Sequence, residues 1–155
     1  MTDTDPTVVV PAGRPFLEAA AWVGASCRAE LVLHDRLTRA LAAGAGAERS
    51  AILWTVRAHR AEVAEAWHRR LPELRELPRD GFVAGDGSDG DRSEGTGGLV
   101  VADDPGWVAD ALDGLAERYR AHLAVAVGPA DGPVADTLAL AIHRAEADRA
   151  ALVAG

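Results

Sequence analysis

The strongest constraint on this chain is the uneven spacing of its helix breakers. Apolar residues recur at helical spacing from about 15 to 43, with Pro15 at a helix start and Gly44 and Gly46 at its end. A second such pattern runs from about 48 to 71 and stops at Pro72 and Pro78. Asp104-Pro105 opens a third, about 105–127, closed by Gly128-Pro129, and a fourth covers about 133–154. The links at 44–47 and 128–132 are short enough to make antiparallel hairpins of helices 1–2 and 3–4. Between the hairpins lies 79–104, which contains GDGSDGDRSEGTGG, too polar and Gly-rich to order itself. A connection of roughly 25 residues is uncommon inside a compact domain. A four-helix bundle of two hairpins joined by one long crossover explains it, because helix 3 then begins at the far end. An up-down bundle with an inserted loop is the competing arrangement. The expectation is an all-α fold: a disordered tail at 1–14 and one bundle domain at 15–154.

Composition agrees and narrows the chemistry. Only 5% of residues are aromatic, and alanine is abundant, which favours close-packed helices over a β-sandwich. No run of 18 apolar residues exists, so no membrane span is expected. The acidic start MTDTDPTVVVPAGRP lacks the basic and apolar regions of a signal peptide. Cys27 is the sole cysteine, which excludes an internal disulfide; a cytoplasmic setting is expected. All 16 basic residues are arginine, since Lys, Asn and Gln do not occur. Lysine-based catalysis and side-chain amide oxyanion donors are therefore excluded. The net charge is −8 with arginines scattered among acids, so no nucleic-acid surface is expected.

Placing residues 100° apart around each helix separates inward from outward polar groups. On helix 1 the apolar stripe Phe16, Val23, Cys27, Leu37 and Leu41 carries Glu30 and His34 in its middle. A buried carboxylate must find a metal, an arginine or a hydrogen-bond network. On helix 2, Arg57, Arg60 and His68 fall within a wide apolar arc, with Glu65 at its edge. Glu65-Ala-Trp-His68 is a Glu-x-x-His, whose spacing sets both side chains on one face. Helix 3 turns Tyr119 and His122 inward; helix 4 has Asp148 and Arg149 near its stripe. The repeated His59-Arg-Ala-Glu62 and His143-Arg-Ala-Glu146 read as surface features, with His59 and Glu62 pointing away. A hairpin folding back at 44–47 sets Glu30 level with 60–62, making Arg60 and Arg57 natural partners of Glu30 and His34.

With two hairpins, a long central crossover, Glu30 in mid-helix 1 and Glu65-x-x-His68 on helix 2, the chain resembles the ferritin-like superfamily across residues 15–154. The resemblance implies a ligand set of one Glu on helices 1 and 3 and a Glu-x-x-His on helices 2 and 4. That set holds two iron or manganese ions for oxygen activation or iron oxidation. The second hairpin departs from it: Glu117 lies on the polar face of helix 3, and His143 is preceded at i−3 by Leu140.

Three functions follow as expectations. The first is a metal-free binding or interaction module for a small molecule or protein. Its centre would be a buried Glu/His/Arg network, with Arg57, Arg60, Tyr119, His122 and Arg149 as ligand contacts. The second is an iron or manganese oxidoreductase or iron-binding protein using Glu30, His34, Glu65, His68 and His122. The third is a metal-free enzyme with Glu30 and His34 as its acid/base pair. The acidic loop Asp86–Glu94 lacks calcium-loop spacing and reads as solvated linker. Leu99-Val100-Val101 is an apolar island able to dock on the bundle, and a Trp- and Ala-rich face fits a homodimer.

Overall fold

The computed structural model describes residues 16–44, 46–75, 77–85, 106–126 and 132–154. They form five helices: α1 (Phe16–Ala43), α2 (Ala47–Arg70), α3 (Arg79–Ala84), α4 (Gly106–Leu123) and α5 (Gly132–Ala154). No strand occurs among the described residues. The 1–14 tail, the acidic loop at 86–94, the Leu99–Val101 island and the Gly128-Pro129 stop lie outside them.

The breakers act as their chemistry requires. Gly44 ends α1 at φ 90°, a conformation that glycine adopts without side-chain strain, and its N–H reaches the Leu41 carbonyl at 3.2 Å. Leu71, which precedes Pro72, turns extended (φ −70°, ψ 139°) and closes α2. The last turn of α4 loosens before 127: Val125 N–H bonds the His122 carbonyl at 3.1 Å, an i to i+3 closure.

One element departs from the sequence expectation. The first residues of the 79–104 crossover are helical, so the described residues hold five helices rather than four. Phe82 anchors α3 in the core, and it can do so because Gly24 presents bare backbone on α1. A Cβ at Gly24 would stand 2.3 Å from the Phe82 carbonyl oxygen. Arg28 then donates to the Ala84 carbonyl at 2.9 Å, so α3 climbs along α1.

Contacts between helices set their directions. Down the α1/α2 hairpin, Arg57 meets Thr38, Arg60 meets Glu30, Cys27 meets Ala64 and Trp22 meets Trp67, an antiparallel order. Arg60 and Arg70 of α2 meet Asp148 and Thr137 of α5, antiparallel again. Trp22 and Arg36 of α1 meet His122 and Trp107 of α4, also antiparallel. Thus α1 and α5 run one way, α2 and α4 the other. α4 starts at the end of the bundle opposite to where α2 stops. The core between them is built on Trp67, Tyr119, Leu37, Leu53, Leu112 and Leu138, all fully buried. Trp22 and Trp67 lie inside this core, whereas Trp54 stands 55% exposed.

Candidate functional site

The centre of this core is charged. Glu30 and Arg60 have no exposed surface, and Asp148 is 2% exposed. Each arrives there by helical periodicity: Glu30 follows Val23 and Cys27 on α1, Arg60 sits between Val56 and Val63 on α2, and Asp148 continues Ala141 and Ala145 on α5. An isolated buried ion costs several kcal/mol, so these three can only be buried together.

Arg60 joins the two acids. Its Nη1 donates to Glu30 Oε2 at 3.1 Å, and its Nη2 donates to Asp148 Oδ2 at 3.0 Å. The remaining oxygens are also engaged. The Tyr119 hydroxyl donates to Glu30 Oε1 at 2.6 Å. His59 Nδ1 lies 2.6 Å from Asp148 Oδ1, and a carboxylate acceptor there places the ring proton on Nδ1. One network therefore links α1, α2, α4 and α5, and every carboxylate oxygen in it accepts a hydrogen bond.

Burial dominates the electrostatics. It pushes the Glu30 carboxyl above its ordinary value, against the pull of Arg60, the Tyr119 hydrogen bond and the more distant Arg118. Burial also lifts the Tyr119 phenol well above its usual range, assisted by the Glu30 charge. The Cys27 thiol, which donates to the Ala64 carbonyl at 3.3 Å, is raised by burial and then by Glu30 and Asp80. Neither the phenol nor the thiol is set up to ionise at neutral pH.

Of the residues singled out from sequence, the fold brings Glu30, Arg60 and Tyr119 together. His122 is buried one turn from Tyr119 with its ring stacked on Trp22, 3.7 Å between centroids and 12° between planes. His34 is half-buried. Burial first, and then the Arg57 charge, lowers its pKa. Arg57 itself donates to Thr38 Oγ1 at 2.7 Å and lies over the Trp54 ring. No hydrogen bond joins His34 to Glu30 among the described residues.

Glu65 and His68 do not share a site. Glu65 is exposed and pairs with Arg69 on its own helix. His68 Nε2 meets Asp80 Oδ1 of α3 at 3.0 Å at the surface. Both lie beside the arc that Val56, Arg60, Val63 and Trp67 bury, so α2 turns neither towards Glu30. Arg149 is half-buried and bonds Asp113 across the α4/α5 seam at 3.1 Å. It lines a groove of about 500 Å³ with Ala116, Arg120 and Glu146. Among the described residues, no three His, Cys, Asp or Glu side chains are grouped so as to hold a metal ion. No helix among them is long and apolar enough to cross a membrane.

His59 and Asp148 are the residues that helix-by-helix reading placed wrongly or undervalued. His59 lies off the apolar arc of α2, but α5 packs against that flank and offers it a carboxylate. The available signal was Asp148 itself, an acid in step with Leu138, Ala141 and Ala145. In the two His-Arg-Ala-Glu repeats, Glu62, His143 and Glu146 are exposed, in line with the surface reading. Glu62 of the first repeat pairs with Arg144 of the second at 2.9 Å, and His59 alone of the expected surface residues is drawn to a buried acid.

No family model matches the chain, and no curated protein or solved structure matches it.

Proposed function

We propose that this chain is a ferritin-like bundle whose centre is a metal-free ion network, and that it works as a binding or interaction module. The observation that carries this reading is the position of Arg60. Its guanidinium stands between Glu30 and Asp148, where a cation bridging the two acids would have to stand. The donor chemistry agrees, since Tyr119, Arg60 and His59 occupy all four carboxylate oxygens. The residues at the centre thus do not fit a pair of metal ions, and the Glu-x-x-His that would supply the next ligands is directed elsewhere. The ferritin-like assignment is supported by the parallel directions of α2 and α4, the arrangement that a single long crossover serves. A Glu30–His34 acid/base enzyme gains no support, because the Glu30 oxygens are committed to Arg60 and Tyr119 and no hydrogen bond joins them to His34 among the described residues.

Metal analysis of protein expressed in medium supplemented with iron, manganese and zinc tests this. The expected content is far below one equivalent. One or two tightly bound equivalents, lost on Glu30→Gln, would overturn the reading in favour of an iron or manganese oxidoreductase or iron store.

A further inference from the structure

Among the described residues, two polar groups on the facing stretches of α1 and α4 have no hydrogen-bond partner. One is the Ser26 hydroxyl, in a residue only 1% exposed. The other is one edge of the Arg118 guanidinium, whose Nε and Nη2 are both shut off from solvent. The antiparallel register of α1 and α4, set by Trp22 on His122 and Arg36 on Trp107, brings them to similar heights. Ser26 is midway between Trp22 and Glu30 on α1, and Arg118 is beside Tyr119 and one turn before His122 on α4. The Trp22–His122 stack and the Tyr119–Glu30 hydrogen bond bracket the stretch that carries both. Here the two helices meet through large side chains rather than backbone, unlike α1 with α2.

Arg118 is not consumed by the central network. Glu30 spends its oxygens on Tyr119 and Arg60, and Asp148 spends its own on His59 and Arg60. The Arg118 guanidinium lies 5.4 Å over the Tyr119 ring, a contact that uses its face and leaves its edge unspent. Burying donors without acceptors is unfavourable, and a ligand that supplies acceptors removes that cost. Nε–H and the neighbouring Nη2–H are parallel donors that match the two oxygens of a carboxylate.

We propose that this seam binds a small organic carboxylate, its oxygens on Arg118 Nε and Nη2 with the Ser26 hydroxyl as third donor, and its apolar body beside the Trp22–His122 stack. A single charge is favoured over a phosphate dianion, because Glu30 stands one turn from Ser26 and the chain carries −8 overall. The inference rests on the metal-free binding reading and names its ligand class.

The test titrates the whole chain with sodium benzoate at constant ionic strength, read by melting temperature and tryptophan fluorescence. Benzamide serves as the uncharged counterpart and inorganic phosphate as a second anion. A saturable rise in Tm with benzoate is expected, absent with benzamide and weaker with phosphate. Arg118→Lys, which keeps the charge but loses the paired donors, should weaken benzoate at least about tenfold. Ser26→Ala should weaken it less, and Arg149→Met, in the α4/α5 groove, should leave it unchanged. If Arg118→Lys does not fold, the contrast between Ser26→Ala and Arg149→Met decides. No saturable response to benzoate, an equal response to benzamide or phosphate, or a response unchanged by the seam substitutions overturns the site. Metal content of the same preparation is a separate readout, so a metal-loaded centre and an empty seam are told apart.

Discussion

The Arg60 guanidinium donates to Asp148 at 3.0 Å across 88 residues of sequence, joining the two helical hairpins at a point with almost no access to water. The same group holds Glu30 at 3.1 Å. One cation thus neutralises acids from α1 and α5.

Arg60→Met would leave two buried acids facing an apolar side chain. Breaking such a pair costs about 3–5 kcal/mol, and urea denaturation at neutral pH should show a loss of that size. The loss should shrink in acid, where the carboxyls can protonate. Replacing Glu30, Arg60 and Asp148 together by apolar residues of similar volume should restore much of the stability, since no lone charge then remains. Arg149→Met gives the contrast: its pair with Asp113 is 43% and 56% exposed, and the change should stay within about 1 kcal/mol. Similar losses for Arg60→Met and Arg149→Met would contradict the central role of the network.

Glu30 gives the bundle a characteristic pH dependence. Its folded pKa is raised above its unfolded value, chiefly by burial. Between those two values the native state binds more protons than the unfolded chain, so stability falls as pH rises through the window. The contribution is fully present below the unfolded value and is lost above the folded one. Tyr119→Phe removes a hydrogen bond that favours the charged form, which pushes the Glu30 pKa further up and widens the window. Melting temperatures from pH 4 to 8 should fall more steeply for Tyr119→Phe than for the parent chain, and less steeply for Glu30→Gln. Parallel curves for all three would rule out this account.

Gly24→Ala isolates the docking of α3. On an exposed helix the change would gain about 1 kcal/mol in propensity. Here the new Cβ would stand 2.3 Å from the Phe82 carbonyl oxygen, so α3 must move or detach. Overpacking of this kind costs about 1–3 kcal/mol. The expected result is a lower melting temperature with faster amide exchange and proteolysis at 77–85, while α2 and α5 stay protected. A stabilised variant would show that α3 is not held against Gly24.

The all-α architecture was readable from sequence because it depends on local physics. Helical periodicity, Gly44 at positive φ and Pro72 after an extended Leu71 define α1 and α2 to within a residue or so. The inward placement of Glu30 and Tyr119 follows from the same periodicity. Counting 1.5 Å per residue back from the turn at 44–47 already sets Arg60 level with Glu30. The rest depends on which helix lies beside which. His59 is a flank residue until α5 packs there and supplies Asp148. Glu65 and His68 share a face by spacing, yet Arg69 and Asp80 capture them separately. A carboxylate on an apolar stripe states that a partner is required; only the neighbouring helix decides that the partner is an arginine.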